Sequence, residues 1–243
     1  MRLLKHALVA LSLGFVAFAA SATPANPQNG VDYRTLEQKQ QTDSGKKVEV
    51  VEFFWYSCPH CYALDPELEA WVKKQGDNIN FRRIPVAFRE SFVPQQKMFY
   101  ALEALGKGEE LHRKIFNAIH AQHQPLDSET QIVDFMVKNG VDKQKFLDAF
   151  NSFAVQAKAR RATQLMQAYQ VDGVPLLAVD GHYETSPSIV ANSLGNVSEQ
   201  ALGSGTLQVL DWLVAKVQQE SKAHAPAAEA KPAASKAASA KGK

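Results

Sequence analysis

The chain has 243 residues, of which 45% are hydrophobic and 21% are charged, the composition of a soluble globular protein. Its two cysteines exclude a fold built on disulfides and a zinc site made of four cysteines. The net charge of +2 comes from basic residues in the two end segments, 1–6 and 222–243, and the span between them is net acidic. The charge pattern therefore does not indicate a nucleic-acid-binding surface.

The N-terminus has the pattern of a secretory signal peptide. Arg2 and Lys5 precede an apolar run over residues 7–20, which is short for a membrane span. A small-x-small cleavage motif follows at residues 20–22. We predict a signal peptide over residues 1–22, with an uncleaved membrane anchor as the alternative. Export implies an oxidising compartment, in which disulfides persist.

The next part of the chain predicts two strands around a helix. Residues 23–30 are rich in Pro, Asn and Gly and predict a mobile arm, and residues 31–40 predict a first strand. The segment Val48–Trp55 is almost wholly apolar, which is typical of a central strand buried on both faces. A helix is expected from Cys58 to about Gly76, and Ile79–Phe88 predicts the next strand.

A helical region then interrupts the strand pattern. From about Pro94 to Gln170 the apolar residues follow helical spacing and predict about five helices, so the chain reads as a helical unit inside an α/β domain. Strand character returns at Val174–Val179, and a hairpin is expected over residues 180–184. Gln200–Gln219 predicts a closing helix, and residues 222–243 form an Ala/Lys/Pro tail that we predict to be disordered.

The two cysteines lie in the motif Cys58-Pro59-His60-Cys61, where the buried strand gives way to the helix. A helix N-terminus favours negative charge, so this position lowers the pKa of the Cys58 thiol and activates its sulfur. Cys61, one turn further, can attack a mixed disulfide formed on Cys58. His60 adds positive charge, and Pro59 fixes the backbone at the start of the helix. Because a stabilised thiolate favours the reduced pair, the disulfide is expected to be a strong oxidant.

Other uses of the cysteine pair stay open at this point. A purely structural disulfide would close a very small loop and stabilise the chain little. A zinc or copper site could combine Cys58 and Cys61 with His120 and His123, although that histidine spacing is tighter than usual.

A proline marks a second candidate site far along the chain. Pro175 follows Val174 at the start of an apolar strand, where a residue without an N–H is disfavoured. A cis bond between the two would explain the proline and would bring the backbone of Val174 beside the cysteines. An extended substrate segment could then pair with that backbone.

A carboxylate lies inside the predicted central strand. Glu52 is expected to be buried, to have a raised pKa and to relay protons to Cys61, the alternative being an edge-facing, solvated side chain. Arg82 or Arg83 on the next strand could pair with it, and Asp65 is a further acidic group near the cysteines.

These motifs resemble those of the DsbA family of bacterial periplasmic thiol:disulfide oxidoreductases. The similarity is carried by the runs VVEFFWYSCPHCYALDPELEAWVKK and GVPLLAVDGHY and extends over roughly residues 31–220. It implies a thioredoxin fold with an inserted helical domain. Residues 23–92 and 171–221 would form the thioredoxin domain, and residues 93–170 the insertion.

The resemblance also implies roles for individual residues. These are Cys58 as nucleophile, Cys61 as resolving thiol, His60 as thiolate stabiliser, Val174-Pro175 as a cis-proline loop, and Glu52 with Arg83 as a buried acid and its basic partner. It further implies exported proteins with reduced cysteines as substrates, reoxidation by a DsbB-like, quinone-linked inner-membrane protein, no bound cofactor or metal, and a monomer. The chain departs from the family pattern at Asp65-Pro66, where glutamates are common, and in its tail.

Two other functions remain as alternatives. An isomerase or reductase could use the same motif, but isomerases of this type usually carry a dimerisation domain before the thioredoxin unit. Only about 25 residues separate the predicted cleavage site from Val48, which argues against that domain. A metal-binding or metal-delivery protein would instead use both cysteines as ligands.

Overall fold

The computed structural model describes residues 22–224 except residues 43 and 46. The predicted signal peptide and tail lie outside the described residues, apart from residue 22 and residues 222–224. Within the described part of the chain, no helix combines the length and the apolar character needed to cross a membrane.

A five-stranded mixed sheet forms the centre of the molecule. Its strands are β1 Arg34–Thr35, β2 Val48–Phe54, β3 Ile79–Pro85, β4 Leu176–Val179 and β5 Tyr183–Thr185, in the order β1-β5-β4-β2-β3. Strand β2 pairs parallel with β3 and antiparallel with β4, and all seven of its residues are buried. This confirms the central strand that the apolar run predicts.

Eight helices surround the sheet in the described part of the chain. They are α1 Pro59–Gln75, α2 Val93–Ala104, α3 Gly108–His120, α4 Glu129–Lys138, α5 Lys143–Phe150, α6 Phe153–Ala168, α7 Pro187–Leu194 and α8 Glu199–His224. Helices α2–α6 lie in sequence between β3 and β4 and form the predicted helical insertion. Side chains of Ser128, Asp142 and Ser152 cap three of these helices by accepting a backbone N–H three residues later.

Two hydrophobic cores hold the layers together. One joins the end of β2 to the inserted helices, through Phe53, Phe54, Met98, Phe116 and Phe146. The other fills the space between the sheet, α1 and α8, through Val50, Leu68, Leu177, Leu210 and Leu213. Truncating one such buried side chain, as in Leu68→Ala, typically costs about 2–5 kcal/mol. The second core fixes α1, and with it the position of the cysteine motif.

The structure differs from the sequence predictions at the N-terminal side. The prediction of a mobile arm over residues 23–30 is wrong. Pro24 and Pro27 are buried, and backbone hydrogen bonds close turns within residues 22–33. The expected strand over residues 31–40 is reduced to the two residues of β1. The backbone N–H of Gln40 nevertheless donates to the carbonyl oxygen of Gly181 in the β4–β5 turn, with 2.7 Å between N and O.

Two differences lie at the C-terminal side. Helix α7 is absent from the sequence predictions, although the Ser186-Pro187 pair has the pattern of a helix start and Ser186 caps it. Helix α8 extends to His224, beyond the expected end at Gln219 and into the segment predicted as disordered. Three of the five added residues, Glu220, Lys222 and Ala223, have high helix propensity, which favours the longer helix.

The hairpin between β4 and β5 provides a stability test. Asp180 and Gly181 both have positive φ, as a tight hairpin turn requires. A Cβ on Gly181 would lie 2.3 Å from the carbonyl oxygen of Gln40. We predict that Gly181→Ala lowers the free energy of unfolding by about 2 kcal/mol or more, through backbone strain and this clash.

Urea denaturation of Gly181→Ala and Gly108→Ala checks this. Gly108, at the start of α3, has no atom within 4 Å of its would-be Cβ and no positive φ, so its replacement should be nearly neutral. Equal stability for Gly181→Ala and the wild type would contradict the analysis of the turn.

Candidate active site

Cys58 occupies the N-cap position of α1, directly after the loop that follows β2. Its sulfur accepts a hydrogen bond from the backbone N–H of Cys61, with 3.4 Å between Sγ and N. Its thiol also donates to the carbonyl oxygen of Val174, at 3.3 Å. Both cysteines are free thiols, and Cys58 is 6% exposed while Cys61 is wholly buried. Of the pair, therefore, Cys58 is the sulfur that a second molecule can reach.

The two thiols have opposite electrostatic environments. The pKa of Cys58 is lowered to about 7, above all by a hydrogen bond from the Cys61 thiol. Burial opposes this shift, but the backbone N–H groups of Cys61 and His60 and the charge of His60 lower the pKa further. Burial raises the pKa of Cys61 well above its usual range, and the neighbouring Cys58 and Glu52 raise it further. Near pH 7 the Cys58 thiol is thus partly ionised, whereas Cys61 keeps its proton.

The structure places the other two residues of the motif at the surface end of α1. Pro59 is the first residue of the helix, where its missing N–H removes no helical hydrogen bond. The His60 side chain is 65% exposed, and its Nδ1 lies 2.5 Å from Oε1 of Glu199. Glu199 is a site residue that the sequence analysis missed.

The loop before β4 brings a distant part of the chain to the cysteines. The Val174–Pro175 bond is cis, the geometry that would explain a proline at this point. The Val174 carbonyl faces the sulfur of Cys58, which is the proximity that the sequence analysis expected.

Glu52 lies beneath the cysteines and is 1% exposed. Its partner is Arg83, directly across the β2–β3 ladder, with 2.8 Å between the Arg83 Nε and a carboxylate oxygen. Arg82 instead bonds Glu49. Burial raises the pKa of Glu52 to about 7 against the opposing charge of Arg83. Glu52 is therefore the buried, titrating carboxyl that the sequence predicts, not a solvated one.

Asp65 extends this buried network toward the helical insertion. Its carboxylate lies 3.2 Å from the Arg83 guanidinium, 3.1 Å from Nε2 of His112 and 3.1 Å from Nη1 of Arg113. Burial opposes ionisation, but the His112 hydrogen bond and the arginine charges outweigh it and lower the pKa of Asp65. Tyr56 Oη lies 3.0 Å from the Nδ1 of His112.

The hydrogen bonds of His112 assign its tautomer. An ionised Asp65 only accepts, so the Nε2 of His112 donates to it, and Nδ1 accepts from the Tyr56 hydroxyl. Burial lowers the pKa of His112, in agreement with a neutral ring. The sequence analysis missed His112, which lies on α3, far from the motif in sequence.

The arrangement does not gather the cysteines with the two histidines of the alternative metal site. Among the described residues, the one group of three His, Cys, Asp or Glu with ligand atoms within 4.8 Å of one another is Asp65, Glu69 and His112. Arg83 already bridges its two carboxylates. Nε2 of His120 lies 2.8 Å from the carbonyl oxygen of Tyr56 and so is engaged elsewhere.

The site and fold match a known family. Residues 49–204 match the family model described as a DSBA-like thioredoxin domain. The chain belongs to this family. Its thioredoxin fold with inserted helices is that of the solved relatives: a crystal structure of Pseudomonas aeruginosa DsbA has a TM-score of 0.71 and 36% identity, covering 79% of this chain and 95% of that chain.

Named relatives cover most of the chain. It is 48% identical to the thiol:disulfide interchange protein DsbA of Burkholderia cepacia, over 86% of this chain and 94% of that protein. It is 36% identical to the thiol:disulfide interchange protein DsbA of Bordetella pertussis (strain Tohama I), over 85% of this chain and 93% of that protein.

The raised pKa of Glu52 predicts a pH-dependent stability. Between pH 4.5 and about 7 the folded state holds a proton on Glu52 that the unfolded state has lost, so the free energy of unfolding falls as pH rises through this window. Glu52→Gln should remove that fall, a difference on the order of 3 kcal/mol between the two ends of the window.

Urea denaturation of the wild type and Glu52→Gln at several pH values measures the difference. Both proteins should be in the disulfide form, so that neither thiol titrates. A wild-type-minus-variant difference that stays constant from pH 4.5 to 7 would contradict the assignment.

Proposed function

We propose that this thiol:disulfide interchange protein works as an oxidase that donates the Cys58–Cys61 disulfide to newly exported proteins. A substrate thiolate attacks the sulfur of Cys58, the Cys58–Cys61 bond breaks, and Cys61 leaves as a thiolate. A second substrate thiolate then attacks the substrate sulfur of the mixed disulfide and expels Cys58 as a thiolate. Two electrons pass from the substrate to the protein, which ends as a dithiol.

The observation that carries this proposal is the stabilised Cys58 sulfur at the N-terminus of α1. With a pKa lowered to about 7, Cys58 is a good leaving group in the second step, and its stabilised thiolate favours the reduced protein. Burial of Cys61 directs the first attack to Cys58. Both effects favour the transfer of the disulfide to the substrate.

The Val174–Pro175 loop supports a role in substrate binding. The Val174 carbonyl lies beside the Cys58 sulfur and presents a backbone acceptor at the point of attack. An extended substrate segment can hydrogen-bond such an edge while its own sulfur approaches Cys58.

Glu52 is proposed to move the proton that Cys61 requires. Cys61 leaves as a thiolate in a buried position that favours the neutral thiol. With a pKa of about 7, Glu52 can hold a proton at neutral pH and return it, and Arg83 orients its carboxylate through the 2.8 Å contact. The negative charge thereby moves from the Cys61 sulfur to the Glu52 carboxylate, where the Arg83 guanidinium balances it.

The setting of the reaction is proposed from the sequence and the family. The predicted signal peptide supports export to the periplasm, where disulfides persist. Repeated turnover requires an oxidant for the dithiol, and the family resemblance supports a DsbB-like, quinone-linked protein of the inner membrane. The proposed substrates are unfolded exported proteins with reduced cysteines. We further propose that the protein is a monomer and needs no bound cofactor.

Two variants that each keep one cysteine test the assignment of the nucleophile. We predict that Cys61→Ser, incubated with a disulfide-bonded peptide, forms a mixed disulfide through Cys58 at least about tenfold faster than Cys58→Ser does through Cys61. The reason is that Cys58 is the accessible, ionised sulfur.

Intact mass spectrometry after acid quenching follows the adduct, and each variant serves as the control for the other because their thiol content is equal. Equal rates, or a faster reaction through Cys61, would refute the proposed order of attack. In the same assay the oxidised wild type should gain two thiols as a reduced substrate loses two.

A further inference from the structure

The exposed histidine of the cysteine motif is tied to a remote helix. Glu199 Oε1 lies 2.5 Å from Nδ1 of His60, although the two residues are 139 positions apart in the chain. A carboxylate only accepts, so the imidazole Nδ1–H donates. The side chains of His60 and Glu199 are 65% and 47% exposed, so nothing encloses the ring on the solvent side.

The backbone beneath Glu199 is rigidly placed. Glu199 is the first residue of α8, and the side chain of Ser198 caps that helix by accepting the N–H of Ala201 at 3.2 Å. One turn further, α8 comes so close to α1 that a Cβ on Gly203 would lie 3.4 Å from Leu64. Helix packing therefore fixes the backbone of Glu199 relative to the N-terminus of α1, within reach of His60 for its carboxylate.

The orientation of His60 matters because its charge acts on the reactive sulfur. The positive charge of His60 is one of the influences that lower the pKa of Cys58. It acts through space, so its strength depends on where the ring lies. An exposed imidazole without an anchor would sample several rotamers, and the effect of its charge on the sulfur would vary among them.

We propose that Glu199 is a positioning residue, which holds the His60 imidazole beside Cys58 and so increases the oxidising strength of the Cys58–Cys61 pair. This inference rests on the proposed redox function. It adds a residue from the last helix to the groups that set the reactivity of the motif. Glu199 does not touch the reacting sulfurs and acts only through His60.

The experiment titrates the ultraviolet absorbance of the Cys58 thiolate in the reduced protein. We expect Glu199→Ala to raise the apparent pKa of Cys58, so that the thiolate fraction near neutral pH falls about two- to threefold, the size expected for an exposed charged contact. Glu199→Gln keeps an acceptor for the Nδ1–H and should restore most of the wild-type thiolate fraction.

Glu67→Gln is the matched control. Glu67 lines the same surface cavity as His60 and Glu199, but its carboxylate accepts from the hydroxyl of Ser204, at 2.9 Å. Removing its charge should leave the Cys58 titration unchanged. In a His60→Ala background, Glu199→Ala should have no further effect.

The outcomes separate this inference from the proposed function. An unchanged Cys58 titration in Glu199→Ala, or the same shift in the His60→Ala background, would overturn the positioning role while the wild type still oxidises substrates. A Glu67→Gln shift as large as that of Glu199→Ala would also overturn it, because the effect would then be general surface charge. Failure of the wild type to oxidise any dithiol would refute the proposed function itself.

Discussion

A negative charge on a largely buried sulfur is the constraint on which the rest of the site depends. Cys58 is only 6% exposed, yet its pKa lies near 7. Burial alone would favour the neutral thiol, so hydrogen bonds and positive charge must outweigh it. The N-terminus of α1 supplies the backbone N–H groups, and the short loop after β2 places that terminus at the C-terminal end of this central strand. Without this placement the two cysteines would be an ordinary buried pair.

The second cysteine, Cys61, must carry negative charge in a buried position during the reaction. When the disulfide opens, charge arrives at Cys61, which is wholly buried. Glu52 and Arg83 form an ion pair across the β2–β3 ladder near this sulfur, and Arg83 also contacts Asp65. Because the Glu52 carboxyl titrates near neutral pH, it can exchange a proton with Cys61, which a permanently ionised carboxylate could not do. Two sulfurs three residues apart are thus prepared for opposite charge states.

Much of the fold around the cysteines and several site residues could be predicted, because they follow from local sequence patterns. The apolar run of β2 predicts a buried strand, the motif after it predicts a thiol at a helix N-terminus, and Glu52 inside the strand is an anomaly that indicates a function. The residue pattern alone left Arg82 and Arg83 open as partners of Glu52, and the ladder register selects Arg83, as the family resemblance implied. Short edge strands carry less signal, which explains the overestimated first strand.

The residues that were missed owe their positions to tertiary packing. His112 reaches Asp65 because α3 packs on α1, and Glu199 reaches His60 because α8 does. Neither residue has a neighbour in sequence that points to the motif. The turns over residues 22–33, in which Pro24 and Pro27 are buried, were missed for the same reason. A segment rich in Pro and Asn resembles a mobile one until its packing is known.

The equilibrium between this protein and a glutathione redox buffer tests the central claim most directly. The Cys58–Cys61 pair should be more oxidising than glutathione, so that the dithiol predominates even where glutathione is largely in its disulfide form. Fluorescence of Trp55, three residues before Cys58, offers a readout of the ratio. A pair that stays a disulfide in a reducing glutathione buffer would contradict the account, because a stabilised Cys58 thiolate must favour the reduced protein.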